Sequence, residues 1–355
     1  MAGGAVRDVL RRAPVRDVDL TVEGDAVAFA RRLGRRVRAR VRAHPRFGTA
    51  TLDLADGSRV DVNGSRREIY SRRGALPSVS PAPLAEDPAR RDFTVNAMLL
   101  VLSPGPPRLL DPHDGRRDLA RRRIRMLHRG SPHDDPTRAY RAVRYANRLG
   151  FRIDAATRRW IREALEAGAF EEISADRRRR EIERILSEPR ADRALSLLAR
   201  LGLLATIHPA LSADRRVRAR MARAERTPDA SWFTQLLVLA SGLSEQEAGE
   251  LAVRLNLPRA PARVLRRWPE RVGGNSGGSE TAEERAALEA VFGRHRRSLA
   301  GGLAIGGRDL VRAGIAPGPR IGRALAATRA ARRGGRLAPG DELAFAVAHA
   351  REGGA

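Results

Sequence analysis

The chain has 355 residues, a formal net charge of +26 and no cysteine, which excludes disulfide-stapled and Cys-ligated zinc folds and leaves room for two or three domains. A sequence pI near 11.7 points to a polyanionic partner, nucleic acid first. All 68 basic residues are Arg; a GC-rich genome would also produce that, so composition indicates a direction and not a function. No apolar run approaches the ~20 residues needed to span a bilayer. The start lacks a signal peptide's basic and apolar regions, so a soluble, cytoplasmic protein is expected. Aromatics are only 4%, which makes base stacking a minor theme.

In chain order, Gly3-Gly4 form a turn almost at the first residue, with no strand to lead into it. Val6 to Arg11 reads as a short helix and Val15 to Glu23 as a strand. Within a strand, residues at i and i+2 face the same way, so Asp17 and Asp19 offer two carboxylates to one point. Hard cations such as Mg²⁺ are held by one or two carboxylates plus substrate phosphates. The Gly-Gly turn, with exposed N–H groups and Arg7 beside it, would receive the triphosphate that accompanies such a cation. On its own an Asp-x-Asp is also what a solvated surface strand looks like.

Ala26 to Val37 has helical spacing, with arginines opposite the apolar stripe. Thr49 to Leu54, the turn Asp56-Gly57 and Arg59 to Val62 read as a hairpin. Asp61 is either a third carboxylate for the first pair or an edge-strand charge. Ser71 to Pro88 lacks periodicity and reads as a mobile loop.

The run Arg91-Asp92-Phe93-Thr94-Val95-Asn96-Ala97 is far more specific than any Asp-x-Asp. With Gly3-Gly4-Ala5-Val6-Arg7-Asp8, Asp17-Val18-Asp19-Leu20, Phe47-Gly48-Thr49-Ala50-Thr51, Arg66-Arg67-Glu68-x-Tyr70 and Asp111-Pro112-His113-Asp114-Gly115-x-x-Asp118-Leu119, it resembles the class II CCA tRNA nucleotidyltransferase and bacterial poly(A) polymerase family. The resemblance runs from residue 3 over essentially the whole chain. It departs from the family at Asn63-Gly64-Ser65, where an Ala-Thr-like pair would stand, and in the missing first strand, which would leave the sheet short on one side.

What the resemblance implies is an α+β fold, with an N-terminal nucleotidyltransferase head (mixed β-sheet with helices) followed by an all-α neck, body and tail. The divisions would be 1–127 for the catalytic head, 128–188 for the neck with its base-recognition helices, 189–272 for the body and 280–355 for a tRNA-binding tail. Asp17 and Asp19 would be the catalytic, metal-binding carboxylates for Mg²⁺. Gly4, Arg7, Arg91, Asp92 and Asn96 would bind the nucleotide.

His133-Asp134-Asp135-Pro136-Thr137-Arg138 opens a helix, since Pro suits its first turn and Asp its N-terminal end. Asp135, Arg138, Arg141 and Arg144 recur every three positions along one side. Either an anion lies against this row or it is a solvated basic face. The stretch resembles the family's Glu-Asp-x-x-Arg motif, with Asp134 in the Glu place, which implies that it selects the incoming base. Cytosine and adenine each present an amino group beside a ring-nitrogen acceptor. A carboxylate only accepts and a guanidinium only donates, so Asp135 and Arg138 would match C and A and mismatch U and G. Arg141 and Arg144 would lie further along, towards the triphosphate.

After Ile153 the chain reads as helical throughout, with Ser174 as an N-cap before a helix reaching Leu186. Glu181 and Glu183, near Arg177 to Arg180, either brace the base-reading helix or form a solvated face. Asp192 to Ala205 and Phe233 to Gly242 read as amphipathic helices, and Gly273 to Ser279 as a linker. Gly307-Arg308-Asp309-Leu310 and Gly314 to Gly322 resemble the family's tail, or are an ordinary helix–turn–helix. The C-terminal portion holds only His295 and His349 and no adjacent His-Asp, so no phosphohydrolase activity is expected. The partners implied are tRNA with CTP and ATP, without a membrane. The expected reaction is metal-assisted, template-free addition of C, C and A. A CC-only or A-only enzyme, a poly(A) polymerase and an inactive RNA-binding paralogue are the alternatives.

Overall fold

The computed structural model describes residues 1–15, 17–44, 48–72, 74–75, 77–228, 230–273, 281–292, 305–333, 337 and 341–352. The chain divides into two compact units, residues 1–189 with 193–207, and residues 190–192 with 208–355. The fold is mixed α+β.

The first unit begins with α1 (Gly4–Leu10), β1 (Asp17–Val22), α2 (Ala26–Val37), β2 (Arg40–His44), β3 (Thr49–Asp53) and β4 (Arg59–Gly64). Their sheet has the order β1-β4-β3-β2, with β1 and β4 parallel and the other pairs antiparallel. Register explains its two faces. One face presents Val18, Val60, Leu52 and Val41 in a row across the strands, then Leu20, Val62, Ala50 and Ala43. Most of these pack with Ala26, Ala30, Phe29 and Leu33 of α2 into one apolar core. Alternation then forces the polar residues to the opposite face, where Asp19, Asp61, Thr51 and Arg42 form the matching row. At the sharp return after α2, a Cβ on Gly34 would lie 2.3 Å from a Val41 methyl, so only glycine lets β2 fold back this closely.

The turn at Gly3 is better held than its sequence suggests. Ala2 N–H donates to Asp19 O (2.8 Å), Leu100 N–H to Met1 O (2.9 Å) and Gly3 N–H to Met98 O (3.2 Å). The first two residues therefore lie between β1 and a later strand, and the expected gap beside the turn is absent. Ser71 to Pro88 is also more ordered than a mobile loop. After β5 (Arg66–Ile69), β6 (Ser78–Pro81) pairs antiparallel with it, and a 3₁₀ turn spans Asp87–Arg90.

The unit continues with β7 (Leu99–Val101), β8 (Arg108–Leu110), α3 (Gly115–Ala120), β9 (Arg123–Ile124), α4 (Ser131–Asp134), α5 (Thr137–Leu149), β10 (Arg152–Ile153), α6 (Ala155–Glu166) and α7 (Ala175–Leu186). Ser174 caps α7 by accepting from Arg177 N–H. The helix expected over Asp192 to Ala205 is two, α8 (Ala191–Arg200) and α9 (Leu203–Ile207), because Gly202 turns the chain at φ +75.

The second unit is helical among its described residues: α10 (Arg215–Ala224), α11 (Trp232–Leu239), α12 (Glu245–Arg254), α13 (Arg259–Val272), α14 (Ala282–Phe292), α15 (Gly307–Arg312), α16 (Pro319–Arg333) and α17 (Glu342–Glu352). Ser231 and Ser244 close capping boxes on α11 and α12. Leu310, Ile315, Ala324 and Ala346 form a small core of their own. Beyond Gly273 the expected linker, and also Phe47 and the Arg308 side chain, lie outside the described residues.

Candidate active site

A cavity of about 420 Å³ opens in the first unit. Gly3 and Gly4 line it, together with Asp19 of β1, Glu68 and Tyr70 around β5, Arg90 to Asp92, Asn96, and one face each of α5 and α7. Of the residues singled out in the sequence, Gly4, Asp19, Arg91, Asp92, Asn96, Asp135, Arg138 and Arg141 meet here. Asp17, Arg7, Arg144 and Asp61 do not line it.

The last four have clear positions. Asp17 shares the polar sheet face with Asp19, two residues along β1, and is exposed. Asp61 lies beside Asp19 on β4, where its Oδ1 accepts from Thr51 Oγ1 (2.6 Å) with Arg59 Nε at 3.9 Å. Arg7 is buried behind the Gly3-Gly4 turn. It donates to both carboxylate oxygens of Asp8 (2.9 and 2.7 Å) and to Asn96 Oδ1 (2.7 Å). These three bonds hold Arg7 against the turn, and the Arg91 guanidinium lies beside Gly3. Arg144 Nε is 3.9 Å from Glu181 Oε2, beyond hydrogen-bond reach, and both buried atoms lack a hydrogen-bond partner among the described residues.

The Arg91–Asn96 segment is fixed from beneath. Asp92 is buried, accepts from Asn96 Nδ2 (3.0 Å) and Phe93 N–H (2.9 Å), and takes Arg141 on its other oxygen (2.9 and 2.5 Å). Burial works against the Asp92 charge, yet Arg141 and Asn96 outweigh it and hold the carboxyl below its usual range. Asp87 accepts from Arg90 and Arg91 (both 2.8 Å). Thr94 Oγ1 donates to Asp118 (2.8 Å), which also pairs with Arg125 (2.6 Å), and Asp111 receives the Gly115 and Arg116 N–H groups. A Cβ on Gly115 would lie 2.2 Å from Thr94 O, so the Asp-x-x-x-Gly turn must be glycine to sit under this segment.

On the opposite wall, Asp135 precedes α5 and its Oδ1 accepts from Thr137 N–H (3.0 Å) and Thr137 Oγ1 (2.6 Å). Arg138 is 5% exposed. It donates to Ser131 Oγ (2.8 Å), Arg90 O (2.9 Å) and Tyr70 Oη (3.3 Å). All three are neutral, and among the described residues no carboxylate lies within ion-pair distance of it. A buried guanidinium hydrogen-bonded only by neutral acceptors, with the Asp92 carboxylate acting on it from beyond contact, is suited to a further acceptor from a ligand. Burial, with Glu68 and Asp135 nearby, pushes the Tyr70 hydroxyl up to about 12 despite Arg138, so it stays protonated at neutral pH. Tyr145 sits among Arg7, Arg141 and Arg144, whose guanidinium carbons are 5.5, 5.6 and 5.1 Å from its ring centre.

Several cavity residues have no binding role assigned from the sequence, although Glu68 and Tyr70 stand in the Arg66-Arg67-Glu68-x-Tyr70 match and Arg177 to Glu181 are weighed there as a brace for the base-reading helix. Glu68 and Tyr70 could have been found as an i, i+2 pair on a strand. Arg177, Glu181 and Arg184, at i, i+4 and i+7 of α7, share one helical face. Their signal was diluted among five arginines in that helix.

For a metal, the donor set is a pair. Asp17 and Asp19 share a face and are hard oxygen ligands. The Asp19 carboxyl is pushed up by burial and by Asp61 and Asp17, against Arg91, and an added cation would relieve that strain. Among the described residues no group of three or more His, Cys, Asp or Glu side chains is placed to hold a metal; Asp61 lies beside Asp19 on the same sheet face. The pair fits a cation that is completed by substrate oxygens.

Residues 1–125 match the family described as "Poly A polymerase head domain", and residues 150–215 that described as "Probable RNA and SrmB- binding site of polymerase A". The chain is 32% identical over 351 residues to a CC-adding tRNA nucleotidyltransferase of Deinococcus radiodurans, covering 96% of this chain and 86% of that one. It is 41% identical over 210 residues to an A-adding tRNA nucleotidyltransferase of Geobacter sulfurreducens, 59% of this chain and 24% of that one. This chain spans 24%, 37% and 25% of the lengths of three A-adding relatives. Among solved structures, a CCA-adding enzyme in apo form II superposes with a TM-score of 0.73 at 27% identity, over 92% of this chain and 86% of that one. The Thermotoga maritima CCA-adding enzyme complexed with tRNA gives 0.66 at 27% identity, over 98% and 90%. The chain belongs to the family of class II tRNA nucleotidyltransferases and bacterial poly(A) polymerases.

Proposed function

We propose that the chain extends the 3′ end of tRNA, adding C, C and A from CTP and ATP without a nucleic-acid template. The observation that carries this reading is one cavity lined together by Asp19, the Asp135–Arg138 pair, Arg91, Asp92 and Asn96. The tRNA 3′-hydroxyl oxygen attacks the α-phosphorus of the triphosphate. A new P–O bond forms, the α–β bridging P–O bond breaks, pyrophosphate leaves with those electrons, and the hydroxyl proton passes to water. Asp17 and Asp19 would hold Mg²⁺, which when bound lowers the hydroxyl pKa and offsets charge on the leaving oxygens. Arg91, beside Gly3 and Gly4, would meet the triphosphate. Asp135 would accept from the amino group of C or A while Arg138 donates to the neighbouring ring nitrogen. Against U or G both would meet like partners, at about 1–3 kcal/mol for each group left unpaired.

The same reading gives functional meaning to the chain's divisions: residues 1–127 as catalytic head, 128–188 as base-reading neck, 189–272 as body and 280–355 as tRNA-gripping tail. A CC-only enzyme is the second reading, favoured by the near full-length match to a CC-adding relative. The deciding experiment offers tRNAs ending at the discriminator base, at C and at CC, with labelled CTP or ATP. Addition of C to the first two and A to the third supports CCA addition. No A on the CC end supports the CC-only reading. Undiminished incorporation by Asp17→Ala would overturn both.

A further inference from the structure

Asp135 is held unevenly. Its Oδ1 takes three donors: the Thr137 N–H, the Thr137 hydroxyl and Arg177 NH2 at 2.7 Å. Every hydrogen bond described for this carboxylate falls on that one oxygen. Arg177 comes from a different element, the first turn of α7, and its other nitrogen, NH1, donates to Gly74 O at 2.8 Å. The ion pair is largely withdrawn from water, with side-chain exposures of 24% for Arg177 and 17% for Asp135. Gly74 itself is docked: it has φ +65, and a Cβ there would lie 3.1 Å from Glu172 O. One guanidinium thus ties together the segment after β5, the start of α7 and the carboxylate that precedes α5.

We propose that Arg177 is a positioning residue that saturates Oδ1 of Asp135, so that Oδ2 is the oxygen presented to the incoming base. The inference rests on the base-reading role of Asp135 given above. The planar fork of Arg suits it, because one guanidinium bonds a carboxylate and a carbonyl at once in fixed geometry. Without it, Asp135 keeps only local bonds to Thr137, and the carboxylate turns about its own axis. It then offers either oxygen at variable angles, a loss felt in discrimination and turnover rather than in grip on the triphosphate or tRNA.

The test uses the full chain with tRNAs ending at the discriminator base and in CC, so that a CCA-adding or a CC-adding enzyme has a substrate, and single-turnover kinetics for each of the four nucleoside triphosphates. In Arg177→Ala, the ratio of kcat/KM for the preferred nucleotide to that for UTP or GTP should fall roughly tenfold. The fall should lie mainly in kcat, with tRNA Kd unchanged and Tm modestly lowered by loss of the ion pair. Arg177→Gln, which keeps one donor and the helix, should show the same direction if Arg177→Ala folds poorly. Arg177→Lys should recover part of the ratio. Wild-type discrimination in both Arg177→Ala and Arg177→Gln, alongside discrimination lost in Asp135→Ala, would overturn the proposal while leaving the base-reading role intact. A wild-type enzyme with no preference against UTP and GTP would overturn the base-reading role first, and this inference with it.

Discussion

Two arginine-rich helices in the first unit look alike in sequence and differ in every physical respect. In α2, Arg31, Arg32, Arg35 and Arg36 are all exposed, and among the described residues none has an ion-pair partner. In α5, Arg138 and Arg144 are buried and Arg141 half-buried, each lodged against a specific group: Ser131 and Tyr70, Glu181, or Asp92. Exposed cations are solvated at little cost and need nothing specific. Buried cations do not persist without partners. What separates a binding wall from a solvated face is therefore burial plus a designated acceptor, and arginine density carries neither.

The contrast breaks most sharply at Arg138. Among the described residues it is the α5 arginine with no carboxylate within ion-pair distance, only neutral hydrogen-bond acceptors, so a ligand acceptor would add to its bonds. Arg138→Ala should lower kcat/KM for CTP and ATP on the order of a hundredfold, the equivalent of about 3 kcal/mol for an unpaired buried group. Discrimination against UTP should weaken in parallel. A drop of less than twofold would place Arg138 with the α2 arginines.

At Asp92 the expected effect is on stability first. Asp92→Asn removes the charge partner of Arg141, whose side chain is 29% exposed. Stranding a buried partner costs about 3–5 kcal/mol, and that exposure reduces it to about 2–3 kcal/mol. The Asp92 carboxyl is held low in the fold, so its stabilisation is present above the ordinary carboxylate range and is lost as pH falls through its folded pKa. Urea unfolding of wild type and Asp92→Asn should accordingly differ at pH 7 and converge under strong acid. A gap that persists undiminished in acid would mean that the Asp92–Arg141 pair is not its source.

Asp19 runs the other way. Its folded carboxyl is held above the usual value, so the stability it contributes is present in acid and lost as pH rises through that raised pKa. At neutral pH the charge is a cost of the site. Asp19→Asn should raise Tm slightly at pH 7 while incorporation is lost. A lowered Tm would show that the carboxylate is structurally satisfied and not poised for a cation.

How much of this was legible follows the same line between local pattern and assembly. The Asp17/Asp19 pair, the hairpin and the face of α5 came from periods of 2 and 3.6, which need no partner to be read. The extent of α2 matched its apolar spacing from end to end. The support of the Gly3 turn did not, since it depends on backbone bonds to Met98 and Leu100, far along the chain. The pairing of β6 with β5 was hidden because an exposed strand of Ser, Val, Ser and Pro has no apolar alternation. Arg7 was read as a ligand of the triphosphate because it neighbours the turn. Its engagement with Asn96 spans 89 positions of sequence, and nothing local announces it. For the α7 arginines the sequence offered both a brace for the base-reading helix and a solvated face, and their abundance left that choice open.

The smallest expected effect is the sharpest test of the contrast. Replacing Arg31, Arg32, Arg35 and Arg36 together with Gln removes four charges from an exposed face whose apolar stripe, Ala26, Ala30 and Leu33, is untouched. Helix propensity barely changes, and removing like charges along one helix relieves repulsion of a few tenths of a kcal/mol per pair. Tm and single-turnover incorporation should therefore stay at wild-type values. The polar sheet face that carries Asp19 is on the other side of the sheet from α2, so no direct route couples them. If those arginines nevertheless touch phosphates, tRNA affinity would fall and the slope of log K against log salt would drop by about 0.7–0.9 per lost contact, the range between single strands and B-form duplex. An unchanged slope keeps α2 as a solvated face, and the difference between the two helices then rests wholly on burial and pairing.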